Sequence, residues 1–286
     1  MKNSRLKKEF IKERQFFLAS PAILWQILFL YIPLLFLIGI SFFRSFEYFS
    51  IKHVTLDNYK VLLTLSYAKI IGRSFLLAFF NAIFCFILSY PVAYFLALRV
   101  RRFKHILLFF LALPFWTNFI VQVYAWFFIL DYHGLLNSFF LKMGIISQPL
   151  HILNTPIAIY IVMLFCYLPF MVMPIYTSLS KLDTFTLEAS FDLGATPWQT
   201  FSNITFPLSL SGVQTGFFLV FIPSFGEFVI PTLLGGGKLM FIGSMISYFF
   251  LETRSVFLGA AFTCLSGLFL IASALFILWL FKKLFR

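Results

Sequence analysis

Glu227 is a lone carboxylate in an otherwise apolar stretch, placed between Pro223 and Pro231 and beside Gly226. An ionisable residue inside a span of that kind marks a functional site by default, and a carboxylate there suits a cation. The flanking glycine and prolines predict a broken helix, whose freed backbone carbonyls would suit a cation as well. The competing reading puts Glu227 roughly 19 residues along its span, at about 1.5 Å each, where it is solvated near the outer face or paired with Lys238. A second constellation, at 183–207, is polar. Asp183 or Thr184 can cap a short helix running through Leu193, with Glu188 and Asp192 one turn apart on one face. Gly194 supplies the left-handed residue that ends it. Thr196, Pro197 and Gln199 then form a capping box that opens a second short helix, and Pro207 marks the start of the next apolar span. A rigid, capped helix-turn-helix between apolar spans is suited to touching another molecule at a membrane surface.

Other chemistries find little support. Cys85, Cys166 and Cys264 fall inside apolar spans without CxxC or metal spacing, so they read as packing residues. His53, His105, His133 and His151 lie at span ends or in loops and are never paired at helical spacing, which argues against a metal site. Gly235-Gly236-Gly237-Lys238 lacks the spacing and the following hydroxyl of a phosphate-binding loop, so any ATP used must be bound by another chain. No Ser/His/Asp set or paired carboxylates occur in the spans, and the chain does not read as an enzyme.

The elements that must position these residues are membrane helices. Hydrophobic residues make up 61% of the 286, and charged residues only 11%, far from the balance of a soluble domain. Apolar runs of about 20 residues or more are predicted at 21–43, 70–98, 106–130, 155–178, 208–234 and 257–281, which gives an all-α membrane protein with six transmembrane helices. Continuous runs of this length exclude the alternating segments of an outer-membrane barrel. The first follows Lys2, Arg5, Lys7, Lys8, Lys12 and Arg14, but it is too long for a signal core and lacks a cleavage pattern. It is therefore expected to be retained behind a basic segment, 1–20, with the transmembrane domain over 21–286. Arg99, Arg101, Arg102, Lys104, Lys282, Lys283 and Arg286 fall on the same side as that segment, whereas the sparser Lys52, Lys60, Lys142, Lys238 and Arg254 fall opposite. The positive-inside rule then puts both termini, and the loop 183–207, in the cytoplasm. The net charge of +12 is explained by span-flanking clusters facing anionic membrane lipids, with no nucleic acid needed. Gly212 and Gly216 fit a close helix contact. Asp131, at the end of the third span, reads as a solvated loop residue.

The order Glu188-Ala189-Ser190, Gly194, Ile204, Phe206-Pro207 resembles the EAA loop of ABC importer permeases, with Ser190 and Phe206 as two mild departures from Ala and Leu. The resemblance implies a type I ABC importer permease fold in the bacterial inner membrane and a loop that docks into a groove of a cytoplasmic ATPase. On that reading Ala189 and Gly194 are small to allow close docking, Glu188 is a polar contact or brace, and a side chain at 194 would push the two short helices apart. Closure of an ATPase dimer, carrying ATP and Mg, would tip the spans between inward- and outward-facing states; this chain itself binds no cofactor. Thr55-Leu56-Asp57-Asn58-Tyr59, Pro114-Phe115-Trp116-Thr117-Asn118, Tyr124-Ala125-Trp126, Leu168-Pro169-Phe170-Met171 and Pro223 to Pro231 look like the permeases of spermidine/putrescine importers. Relatives of that type often carry a basic residue where this chain has Gln122. The implied cargo alternates ammonium groups with methylenes, so Trp116, Asn118, Tyr124, Trp126, Tyr160, Tyr167 and Glu227 become the expected pathway set. One chain brings one loop, so the resemblance also implies a second permease subunit, a heterodimer in the family precedent, and an extracytoplasmic polyamine-binding protein. Two alternatives stay open: the same machinery carrying another small solute such as iron or sulfate, and an ion-coupled secondary transporter, which should show charges deep in several spans and an inverted repeat.

Overall fold

A computed structural model describes residues 20–44, 54–100, 102–237 and 239–284. The basic residues of the N-terminal segment, together with Lys52, His53, Arg101, Lys238 and Arg286, lie outside the described residues. Described regular structure is entirely helical, and six helical stretches are long and apolar enough to cross a membrane. The helices are α1 (Ser20–Ile40), α2 (Asp57–Leu62), α3 (Leu65–Arg99), α4 (Lys104–Trp116), α5 (Phe119–Leu130), α6 (Leu135–Lys142), α7 (Pro156–Leu179), α8 (Thr184–Asp192), α9 (Pro197–Phe225), α10 (Val229–Leu234), α11 (Ile242–Glu252) and α12 (Val256–Leu284). Four of the six expected spans appear close to their predicted bounds, as α1, α3, α7 and α12.

Two spans are divided. The expected helix over 106–130 breaks after Trp116, because Pro114 interrupts the hydrogen-bond ladder and Thr117 is extended. Asn118 then starts a new helix by accepting the backbone N–H of Ile120 at 2.9 Å. The expected helix over 208–234 ends at Phe225 and restarts at Val229, as the Gly226 break anticipates. Its beginning is earlier than expected: Pro207 opens no new helix, since α9 runs unbroken from Pro197 to Phe225. A wide π-helical turn over Phe201–Thr205 immediately precedes this proline, with the Phe206 N–H reaching back to the Phe201 carbonyl. Such a turn relieves the missing donor and the ring clash that a proline imposes on a regular helix. The same device stands before Pro33, where the turn covers Ile27–Tyr31.

The chain divides into two compact units, 1–64 with 249–265 and 65–248 with 266–286. In the first, α1 is largely exposed along its length. Its end is fixed by the stretch read above as Thr55 to Tyr59. Asn58 Nδ2 donates to the Ser41 and Phe43 carbonyls at 3.0 and 2.8 Å, and the Tyr59 and Ser41 hydroxyls are 2.7 Å apart. Asp57 pairs with Arg44 at 2.8 Å. The orphan carbonyls of a helix C-terminus are thus satisfied by side chains, and burial pushes the Tyr59 phenol above its ordinary pKa.

In the second unit α3, α7 and α9 form the core. Gly212 and Gly216 let α9 lie against α7: a Cβ at Gly212 would stand 2.6 Å from the Pro174 carbonyl oxygen, and one at Gly216 would stand 2.7 Å from the Met171 sulfur. Phe75 meets Phe221 and Phe79 meets Phe217 edge to face at about 6 Å between centroids, while Phe75 stacks with Phe79 and Phe217 with Phe221. Buried polar pairs tie the spans together. Asn81 donates to Ser224 at 2.9 Å, the Tyr90 and Ser209 hydroxyls meet at 2.9 Å, and Ser74 accepts the Ile242 N–H at 2.8 Å. Each such bond at membrane depth contributes about 0.6 kcal/mol on average.

Candidate coupling loop and buried carboxylate

The polar loop is built as its residues dictate. Asp183 caps α8 by accepting the Phe185 N–H at 3.0 Å. At the other end Gly194 has φ +81°, its N–H reaches the Phe191 carbonyl at 2.9 Å, and the Ala195 N–H reaches Ser190 at 3.0 Å. This is a Schellman closure. Thr196 and Gln199 complete the expected capping box at the start of α9. Ser190, which departs from the small-residue pattern, is buried, and its hydroxyl meets that of Thr200 at 2.9 Å, clamping α8 to α9. The expected second short helix is therefore the first turns of a membrane-length helix. A second correction concerns Gly194: a Cβ there meets nothing within 4 Å, so a side chain would not push the two helices apart. Its backbone conformation alone restricts the position within this chain.

Around that scaffold Glu188, Ala189 and Asp192 are exposed. So are the large apolar side chains Phe185, Phe191, Leu193 and Trp198, with Leu193 the most open at 89%. Ile204 is half-buried and Pro207 exposed. Trp198 stacks on Phe201, which in turn packs edge-on against Tyr90 of α3 at 5.7 Å. An aromatic column thus links the loop to the spans.

Glu227 occupies the break between α9 and α10 and is only 9% exposed. One carboxylate oxygen accepts the Tyr167 hydroxyl proton at 2.7 Å; the other accepts the backbone N–H groups of Val229 and Ile230 at 2.9 and 3.4 Å. The reading of a solvated Glu227 is overturned by this burial, and its alternative partner, Lys238, lies outside the described residues. The break is packed tightly, since a Cβ at Gly243 would fall 2.3 Å from the Gly226 carbonyl oxygen.

Of the expected pathway residues, the fold brings Tyr167 and Glu227 into direct contact. The others are dispersed: Trp116 is 75% exposed beside Phe109, Tyr124 is exposed, Trp126 packs on Phe165 and Tyr160 on Phe84. Asn118 caps α5, as described above. Gln122 has a local task. Its amide donates to the Pro114 carbonyl and the Thr117 hydroxyl, closing the end of α4, while its oxygen lies 3.9 Å from the Cys166 sulfur. Cys85 and Cys166 are buried and unpaired, as packing residues would be.

Two features escaped the sequence reading. Asn137 is almost fully buried and ties the loop after α5 together, donating to the Asp131, Tyr132 and Leu150 carbonyls and accepting the Leu150 N–H. A hydroxyl-rich groove of about 430 Å³ lies between α7 and α9, lined by Thr177, Ser178, Ser211 and Thr215 with Lys181 at its edge. Adjacent Thr177 and Ser178 on one helix, and Ser211 and Thr215 four residues apart on its neighbour, were the signal for it.

Residues 89–286 match the family described as binding-protein-dependent transport system inner membrane component. The chain belongs to this family. The permease is also 41% identical over 238 residues to the spermidine/putrescine transport system permease protein PotB of Salmonella typhimurium, covering 83% of each chain. With PotB of Escherichia coli K12 the identity is again 41%, over 83% of this chain and 86% of that protein. In fold the permease is similar to a chain in the crystal structure of a bacterial ABC transporter involved in the import of the acidic polysaccharide alginate, with TM-score 0.77, 16% identity, and 99% and 100% of the two chains covered. The permease is therefore an all-helical inner-membrane transport component with the fold of an ABC importer permease.

Proposed function

We propose that this permease is the membrane subunit of a polyamine importer, moving spermidine or putrescine by alternating access driven by ATP hydrolysis on a separate ATPase dimer. The observation that carries the cargo is its 41% identity to PotB proteins over 83% of the chain. The chemistry of the site supports it: a buried carboxylate at a helix break, hydrogen-bonded by a tyrosine, can exchange that donor for an ammonium group of the cargo. The coupling reading is supported by the loop. Glu188, Ala189, Ser190, Asp192, Gly194, Ile204 and Pro207 form a rigid elbow with exposed Leu193 and Trp198, suited to a groove on an ATPase that holds ATP and Mg. Because one chain carries one elbow, a second permease subunit completes the assembly, and an extracytoplasmic polyamine-binding protein delivers cargo. The basic residues at the ends of α3 and α12 support a cytoplasmic position for both termini and the elbow. Uptake of radiolabelled spermidine by the reconstituted importer tests the reading. Competition by unlabelled putrescine and none by sulfate is expected; the reverse pattern would overturn the cargo, and uptake that persists without the ATPase would overturn the coupling.

A further inference from the structure

At the basic end of the second unit, α9 and the last turns of α12 leave a cleft of about 770 Å³ edged by Pro207, Gln214, Trp279, Lys282 and Lys283. Leu210 and Phe281 line this cleft and also an adjoining slot of about 250 Å³, otherwise walled by apolar side chains of α3, α9 and α12 including Phe79, Phe86 and Phe217. The sequence of chemistries along the two is graded. Two ammonium groups stand at the mouth, an indole edges it, an amide follows, and hydrocarbon lies within. The Lys283 ammonium lies 5.1 Å over the Trp279 ring, a cation–π contact that draws it toward the indole edge of the cleft. Gln214 is half-buried on a membrane-length helix, lines the cleft and has no hydrogen-bond partner among the described residues, so its amide can serve a ligand there. Water alone would satisfy the amide but would leave the apolar slot beside it unfilled.

We propose that this cleft and slot form a binding site for one anionic glycerophospholipid of the leaflet at the basic end. The phosphate lies on Lys282 and Lys283, an ester carbonyl accepts the Gln214 amide N–H, and an acyl chain enters the slot between Phe79, Phe86 and Phe217. Basic pockets between spans select anionic headgroups, each lysine near the surface contributing about 1 kcal/mol. The assignment is independent of the cargo and of the ATPase.

Native mass spectrometry of the full-length permease, released from bilayers of equal parts phosphatidylglycerol and phosphatidylcholine, tests it. One phosphatidylglycerol per chain should be retained in preference to phosphatidylcholine. Replacing both mouth lysines, Lys282→Gln with Lys283→Gln, should weaken retention roughly 30-fold. Both side chains are exposed and outside the packed core, so the variant should fold normally, and Gln214→Leu provides a second reading from inside the cleft with the basic end of the helix left intact. Equal retention of phosphatidylcholine, or undiminished phosphatidylglycerol in both variants, would overturn the site. So would capture of a neighbouring subunit in place of lipid by benzoylphenylalanine substituted for Leu280, a residue that lines the slot.

Discussion

Glu227 accepts three hydrogen bonds from described donors, the Tyr167 hydroxyl and the Val229 and Ile230 backbone N–H groups. Glu227→Gln keeps one carbonyl acceptor but forfeits the charge-assisted bonds and any attraction for an ammonium group. Polyamine uptake should fall at least about tenfold while the ATPase still co-purifies; unchanged transport kinetics would remove Glu227 from the pathway. Tyr167→Phe deletes the donor alone and should spare more activity than Glu227→Gln. At Gly194 the open space around a would-be Cβ separates two explanations. A left-handed non-glycine residue costs about 1–2 kcal/mol, yet Asn tolerates that conformation well. Gly194→Asp should leave the protein inserted, abolish ATP-driven uptake and lower co-purification of the ATPase. If Gly194→Asn fails in the same way while thermal stability holds, the position is read by a partner and not by the backbone. Residue types made Gly194, the capping box and the Glu227 break legible, because each follows from local stereochemistry. The partner of Glu227 was not, since Tyr167 lies 60 positions away and only packing chooses among twelve tyrosines.

Helix α9 carries the elbow and a span in a single piece. Its 29 residues correspond to a rod about 43 Å long, so movement at Trp198 is conveyed toward Phe225 without a joint. Inserting Gly-Ser-Gly between Thr205 and Phe206 should preserve ATPase binding but disconnect hydrolysis from uptake, which parallel measurements of phosphate release and polyamine accumulation would show. Packing of the rod on α7 depends on two glycines. Gly212→Leu must displace the Pro174 backbone and should destabilise the core by about 1–3 kcal/mol, seen as a lower unfolding temperature in detergent. The stretch Thr55 to Tyr59 was legible as a resemblance without a stated role; its contacts make it a cap for the first span. Composition located the spans, but not the break at Thr117, which requires Asn118 and Gln122 to satisfy the groups that Pro114 disrupts. Nor did the apparent division at Pro207 survive, because a single wide turn absorbs it.

At the scale of the molecule, six spans with few internal charges suit a conduit whose polar wall is shared with a second subunit. The hydroxyl-rich groove between α7 and α9 fits one half of such a wall. Reconstitution with a loop-bearing partner permease should therefore be required for uptake, and this chain alone with the ATPase should give none. Fold class was within reach of hydropathy, since it is written in contiguous sequence. Surfaces assembled from separated helices, such as the cleft at Gln214, Lys282 and Lys283, become visible only when the helices are placed side by side.

The wide turn before Pro207 also sets the azimuth of everything beyond it. Each residue of an α-helix advances about 100°, so deleting one from Phe201–Thr205 would tighten the ladder and swing Ser209, Gly212 and Gly216 away from the neighbours they now face. A protein with nearly the same composition would then offer bulky side chains to α7 where it now offers hydrogen atoms. One surplus amino acid near the elbow thus acts as the phase setting for the bundle.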